Sequence, residues 1–251
     1  MSLTERAAAI LHFETLDSTN EEAERQLAAG AEGPVWIVAD EQTDGRGRSG
    51  RRWHSPKGNL YASLLLRLNI TPSIATQLSF VAALAAYEAV ARHLDPAKLE
   101  GLRLKWPNDV LLDGAKLAGV LIESAAAPDR RGLAIIAGIG INVSHAPADT
   151  GRAVASLEAA PEDCAAVLAS LAQAFGTWLA RWQEGGGFAE IREAWMARAF
   201  ALNEPISVDL NGSSIRGTFR GIGQTGALQL ETGPGAVLTV NAGDIYPDFH
   251  G

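Results

Sequence analysis

The sequence predicts an α+β chain, a mixed or antiparallel sheet packed with helices and followed by a small β-barrel. Three observations predict it: apolar strand-like runs interleaved with helical stripes up to residue 202, an Asp-Gly hairpin signal between two of those runs, and short β-like runs at close spacing after Asn203. Residues 1–202 are accordingly read as one domain and 203–251 as a second.

Taking the elements in order, Ser18 with Glu21 matches a capping box, and Ala23, Leu27 and Ala28 continue an apolar stripe to Gly30, which predicts a first helix. Val35–Ala39 (VWIVA) reads as a short buried strand. Residues 40–58 are polar, rich in Gly and Arg, and too irregular for either period, as in a functional or mobile loop. Asn59–Leu68 reads as a strand and Ile74–Leu94 as a long helix with Leu78, Val81, Ala85 and Ala89 near one face. Leu102–Lys105 and Val110–Leu112 are strands broken by Pro107, Asp113-Gly114 is a hairpin turn, and Lys116–Glu123 is the return strand. Leu133–Val143 is an apolar run whose Gly138 and Gly140 suggest close approach by a ligand or another backbone. Pro161–Gln183 and Phe188–Phe200 read as helices around Gly185-Gly186-Gly187, with Trp178, Trp182 and Trp195 as core or domain contacts. The β-like runs Ile206–Leu210, Ser214–Gly221, Ala227–Glu231 and Ala236–Val240 then follow, separated by Asn211-Gly212, Thr225-Gly226 and Gly233-Pro234-Gly235.

The chain has 251 residues, 47% of them apolar and 20% charged, with a net charge of −8. An acidic surface repels phosphate backbones, which argues against general coating of DNA or RNA. The single Cys164 excludes an internal disulfide and a multi-Cys metal site, and its Ala-rich helical setting reads as an inert buried thiol. The five His residues show no metal-ligand spacing, and His54 and His145 are expected at the surface. No run of about 18 uninterrupted apolar residues occurs, and the richest stretch, Phe80–Val90, carries Glu88. The N-terminus lacks the charge and length of a signal peptide, so no membrane association and a cytoplasmic location are expected.

Gly45–Trp53 reads GRGRSGRRW, with four arginines in seven residues. From Asp44 to Lys57 the net charge is +4, which leaves −12 for the rest of the chain. Glycines let the backbone turn sharply and present N–H groups to an anion, and Arg forks suit carboxylate and phosphate oxygens. No GKS or GKT follows, and the next element is a strand, so this is neither a Walker A loop nor a dinucleotide fingerprint. Composition alone says anion binding and no more. A second cluster, Lys105-Trp106-Pro107-Asn108-Asp109, lies between two strands, with Lys116 eleven residues after Lys105. Once the hairpin forms, Asp109 and Lys116 come onto paired strands and both lysines can face one cavity. A buried Lys beside a carboxylate keeps its charge and can stabilise developing negative charge. Asn108 and Asp109 can hold a hydroxyl or a magnesium ion that bridges phosphates. Pro, Asn, Asp and Gly are equally ordinary turn residues, and the cluster alone does not separate the two readings.

Taken together the motifs resemble those of the biotin protein ligases. The matching pieces are Asp17-Ser18-Thr19-Asn20, Gln42 through Arg51 (QTDGRGRSGR), Gly58-Asn59-Leu60-Tyr61, Lys105 through Asp109 (KWPND), Lys116-Leu117-Ala118-Gly119 and Gly138 through Asn142 (GIGIN). The resemblance implies a class II synthetase-like ligase domain followed by an SH3-like domain. It also implies a two-step reaction with biotin, ATP and Mg2+: formation of biotinyl-5′-AMP, then transfer to a lysine of the biotin carboxyl carrier domain of acetyl-CoA carboxylase or a related carboxylase. Residue by residue, it places Ser18, Thr19, Asn20, Gln42, Gly45, Arg46, Gly47, Arg48, Lys116, Gly119, Gly138 and Gly140 at biotin. Arg48, Arg51, Trp53, Asn108, Asp109, Lys116 and Asn142 fall at the nucleotide, with Lys116 and Arg48 catalytic and no metal ligand assigned. The Ser-Thr-Asn motif begins at residue 18, which leaves no room for the N-terminal winged helix-turn-helix of bifunctional members, so no DNA partner is expected. A homodimer is left open. The rivals are an octanoyl- or lipoate-transferring enzyme, whose Arg-Arg-x-x-Gly-Gly-Gly pattern is missing, and a biotin-sensing regulator, which would not need Lys116.

Overall fold

The computed structural model describes residues 8–126, 132–148, 151, 153–210 and 213–247. The elements in chain order are β1 (Ala9–Leu16), α1 (Thr19–Ala28), β2 (Val35–Gln42), β3 (Leu60–Leu68), α2 (Pro72–Ala75), α3 (Leu78–His93), β4 (Leu102–Lys105), β5 (Asp109–Leu112), β6 (Ala115–Ala126), β7 (Leu133–Ile141), α4 (Cys164–Trp182) and α5 (Phe188–Met196). The C-terminal module adds β8 (Pro205–Leu210), β9 (Ser213–Ile222), β10 (Leu228–Gly233), β11 (Ala236–Val240) and β12 (Asp244–Pro247). The Asn211-Gly212 turn lies outside the described residues.

The first seven strands form one sheet in the order β1-β2-β3-β7-β6-β5-β4, with β1 parallel to β2 and the other neighbours antiparallel. The predicted hairpin forms: Asp113 and Gly114 both take positive φ, 49° and 78°, and Leu112 pairs with Ala115. That backbone matches the twist of the flanking strands. β1 escaped the sequence reading because most of its side chains are exposed, so it lacks apolar alternation. β2 is buried on both faces, Trp36 and Val38 in the main core and Val35 and Ile37 in a smaller one beneath α1. Burial on both faces is why VWIVA reads as an unbroken apolar run.

α3 lies in the main core, with α4 packed beside it and α5 across both. The predicted continuous helix over 74–94 is divided in two: Thr76 closes the short α2, and Gln77 stands at the N-cap of α3, where its side-chain oxygen accepts from the buried Trp182 Nε1 at 2.8 Å. The helical stretches Pro72–His93 and Pro161–Gly185 are long and apolar enough to cross a membrane by length and composition. The sequence expectation therefore holds for unbroken apolar runs only; in the fold α3 and α4 direct their apolar faces against each other and the sheet. Trp178, Trp182 and Trp195 are buried as expected. Cys164 is half-buried at the start of α4, and burial pushes its thiol up to about 11.

The C-terminal strands make a five-stranded antiparallel sheet, β11-β10-β9-β8-β12. It is fastened to the first sheet through the KWPND segment. Trp106 is buried, and its Nε1 donates to Gly226 O at 3.0 Å. Gly226 has φ +90° with Phe80 against its Cα, so a side chain there meets both backbone strain and a clash. Trp106→Phe keeps the ring packing but orphans the Gly226 carbonyl, and is expected to lower stability by about 1–3 kcal/mol. Urea unfolding measures this; an unchanged midpoint would remove the bond from the account of how the module is held.

Candidate active site

Directly opposed residues of neighbouring strands share a sheet face. Ser63, Gly138 and Leu121 thus form one row across β3, β7 and β6. Tyr61, Gly140 and Gly119 form the next, two residues and about 7 Å further along. The same face carries Ile136 and Ala134, which pack under α1. Past Ile136 the positions turn to glycine, and the bare strip floors a cavity of about 320 Å³. A Cβ on Gly140 would stand 2.6 Å from the Trp53 ring, and one on Gly138 would overlap the Asn20 amide. The glycines are needed because these side chains lie flat on the strand.

One end of the cavity is neutral and polar. Ser18 occupies the N-cap position of α1 but makes no side-chain cap bond, and Glu21 pairs with Arg46 instead. The predicted capping box is therefore absent, because the helix entrance is served from outside: Asp17 accepts from Ser18 N at 2.7 Å and Gln42 Oε1 from Thr19 N at 2.8 Å. The Ser18 hydroxyl is left on the cavity wall. Thr19 Oγ1 lies 2.7 Å from Ser63 Oγ, which donates to Asn20 Oδ1 at 2.5 Å, while Asn20 Nδ2 donates to Glu123 at 2.6 Å. Gln42 Nε2 reaches Ser55 Oγ at 2.8 Å.

The other end is charged. The basic loop closes as a hairpin in which Arg46 bridges Arg52 and Gly47 N donates to Arg51 O at 2.7 Å. Acids from the rest of the chain then hold it. Arg46 pairs with Glu21 and lies 3.9 Å from Glu123, and Arg51 forks onto Asp244 at 2.8 and 3.2 Å. Arg48 donates to Asn108 at 3.3 Å. Burial works against the Arg48 charge and sets its pKa below the ordinary value, although Asp244 and Asp109 favour the charge. A guanidinium stays protonated all the same. Lys116 Nζ meets Asp109 Oδ1 at 2.6 Å and sits 5.0 Å from the Trp53 ring centroid. Both members of that ion pair are largely enclosed, at 15% and 12% exposure, so solvent screens it little.

The cavity wall thus gathers every residue that the family resemblance places at biotin or the nucleotide except Gly45, which lies one layer behind, packed on Ser55 and the Trp53 carbonyl. Lys105 is a correction: it does not line the cavity but stacks on Tyr246, 5.0 Å from the ring centroid. Lys105 is paired with Asp109 of β5 and shares its face, but it stands on β4, one strand further from the floor. His54 is exposed, at the rim, and His145 half-buried. Asp244, Tyr61, Ser63 and Glu123 were missed. Asp244 comes from β12 in the C-terminal module, and no sequence signal places it beside Arg51. Trp53 Nε1 and Asn142 Oδ1 are buried on this wall without a hydrogen-bond partner among the described residues. Buried polar atoms are almost always partnered, so two orphans on one wall mark a place for a polar ligand. Among the described residues no group of three His, Cys, Asp or Glu could hold a metal ion. The two carboxylates at the charged end, Asp109 and Asp244, already hold Lys116 and Arg51.

A family model described as the biotin/lipoate A/B protein ligase family matches residues 12–142, and one for the biotin protein ligase C-terminal domain matches 201–246. The chain belongs to the biotin protein ligase family. It is 43% identical to a biotin–[acetyl-CoA-carboxylase] ligase of Paracoccus denitrificans, over 92% of this chain and 97% of that one. It is 34% identical to the bifunctional ligase/repressor BirA of Bacillus subtilis, over 90% of this chain and 70% of that one. Among solved structures it resembles the Aquifex aeolicus biotin protein ligase in complex with biotin and ATP, with a TM-score of 0.76, 28% identity and coverage of 95% and 97% of the two chains.

The Arg51–Asp244 fork makes a prediction about pH. Burial raises the Asp244 carboxyl, but the Arg51 hydrogen bond and the charges of Arg51, Arg48 and Lys105 together outweigh it, and the net pKa lies below the ordinary carboxylate value. A carboxyl depressed on folding adds stability that is complete above its unfolded pKa and is lost as pH falls through the folded one. Asp244→Asn should therefore lower stability at neutral pH and flatten part of the acid limb of a stability-versus-pH curve. An acid limb with the parent's slope would show that the fork contributes nothing.

Proposed function

We propose that this chain activates biotin with ATP and transfers it to a lysine of a biotin carboxyl carrier domain. The observation that carries the reading is one cavity with a neutral hydrogen-bonding end and a cationic end, joined by Lys116. A ureido ring offers two N–H donors and a carbonyl, and Ser18, Thr19, Asn20 and Gln42 offer hydroxyls and amides to meet them. The biotin side chain then carries its carboxylate along the glycine strip toward Lys116. The first step joins a carboxylate oxygen to the α-phosphorus and breaks the bond to pyrophosphate. Two anions must approach, so fixed cations are the main requirement. Arg48, Arg51 and Lys116 are those cations, and Asn108, Asp109, Asn142 and Trp53 complete the nucleotide side. In the second step the acceptor amine bonds to the biotinyl carbonyl, and AMP and a proton leave. Holding the mixed anhydride away from water falls to the loop hairpin, with Gly45, Arg46 and Gly47 over biotin.

Magnesium enters this reading with the triphosphate, with phosphate oxygens as its principal ligands, because the nearby carboxylates are engaged. The domain division falls at 202/203, supported by the C-terminal family match from residue 201 and the start of β8 at Pro205.

Biotin-dependent exchange of pyrophosphate into ATP is expected, with lipoate giving none; the reverse preference, or no exchange, overturns the reading. Lys116→Ala should keep the fold and lower exchange by about 10²–10³-fold, the scale for a preorganised charge at a transition state. A near-parental rate would remove Lys116 from the chemistry. Arg48→Ala should raise release of biotinyl-AMP about tenfold, the scale of one charge-assisted hydrogen bond. An unchanged release rate would contradict its role.

A further inference from the structure

Behind the neutral end lies a hydrogen-bond chain whose direction can be worked out from proton counts. Glu123, on β6, does not line the cavity. Its Oε2 accepts from the Asn20 side chain at 2.6 Å, and a carboxylate has no proton to offer. The Asn20 nitrogen must therefore face Glu123, and its oxygen must face Ser63. Amide orientation is assigned by such a network rather than by shape. Ser63 is fully buried and has one hydroxyl proton for two neighbours, Asn20 Oδ1 at 2.5 Å and Thr19 Oγ1 at 2.7 Å. An amide oxygen cannot donate, so the Ser63 proton goes to Asn20. The 2.7 Å contact is then made by the Thr19 proton, donated to Ser63. Gln42 Oε1, 3.2 Å from Thr19 Oγ1, remains held by the Thr19 backbone N–H. The Thr19 hydroxyl thus reaches the cavity with its proton already committed, as an acceptor.

We infer that Glu123 and Ser63 are positioning residues that fix the polarity of this chain, so that Thr19 Oγ1 presents only lone pairs to a ureido N–H. This rests on the biotin reading above and deepens it. If the amide of Asn20 turns over, its nitrogen donates to Ser63 and Ser63 donates to Thr19, which spends one Thr19 lone pair and frees the Thr19 proton to point at Gln42 Oε1, 3.2 Å away, or into the cavity. The lost lone pair weakens ligands bearing an N–H at this point and leaves the nucleotide end untouched.

Glu123→Gln tests it, because glutamine has the same shape but can donate to the Asn20 oxygen and release the amide. Ser63→Ala cuts the same chain one link on. In pyrophosphate exchange each variant should raise KM for biotin about tenfold, the scale set by one buried hydrogen bond, with kcat and KM for ATP within twofold of the parent. Because both act through one relay, the double variant should resemble either single one, with no hundredfold rise. Single effects that multiply in the double variant, an unchanged KM for biotin in Glu123→Gln, or a fall in kcat alongside KM would each overturn the relay. Glu21→Gln frees Arg46 without touching Asn20, so multiplication of its effect with that of Glu123→Gln separates the relay from any route through Arg46; a non-multiplying pair counts against the relay. Failure of the parent chain itself to exchange with biotin overturns the biotin reading, and the relay with it.

Discussion

Along β7 the residues facing α1 run Ala134, Ile136, Gly138, Gly140, and the change from side chain to none is the constraint on which the rest of the site depends. Where side chains exist, α1 packs on them; where they stop, the sheet is bare and a ligand-sized space opens. Two residues of α1's first turn, Thr19 and Asn20, hang over the near end of that strip, and Trp53 lies on the far end. Any substituent on the glycines meets those groups before it meets solvent. Helix, strand and loop are therefore spaced by atoms that are missing.

The second determinant is how an acidic chain holds a cationic loop. The loop's arginines are distributed among acids from three separate places: Glu21 on α1, Glu123 on β6 and Asp244 in the C-terminal module. Exposed pairs of this kind contribute little to stability individually. Their effect is positional: Glu21 and Glu123 hold one strand of the hairpin through Arg46, and Asp244 holds the other through Arg51. Lys116 is held more firmly, since its partner Asp109 is enclosed with it. Arg48 and Arg52 lean on neutral groups instead, the Asn108 amide and the Thr43 carbonyl, which leaves much of the Arg48 charge for whatever enters the cavity.

The sequence made most of the fold legible where periodicity was strong: β2, β3, the β5–β6 hairpin and the two long helices all announce themselves. It failed where side chains carry no pattern. β1 is an edge strand with exposed side chains, and β12 has four residues, one of them Asp244. The site residues were legible because glycine, arginine and the KWPND segment are unusual at that density, and because the motifs match a known family. Ser63 and Glu123 were illegible, since a serine in an apolar strand and a glutamate at a strand's outer half have no local mark; only register places them behind Asn20. The capping box at Ser18 shows the opposite error, a local pattern overruled by Asp17 and Gln42.

The indole of Trp53 has a consequence for light emission. Five of the six tryptophans, Trp36, Trp106, Trp178, Trp182 and Trp195, are buried in packed core at 3% exposure or less. Trp53 alone lines the cavity, its ring between the Gly140 backbone and the Lys116 ammonium. A charge or a neighbour placed there changes the field across that one ring while the other five stay in fixed surroundings. The protein's own fluorescence is thus a background from the core plus one emitter that registers what occupies the site.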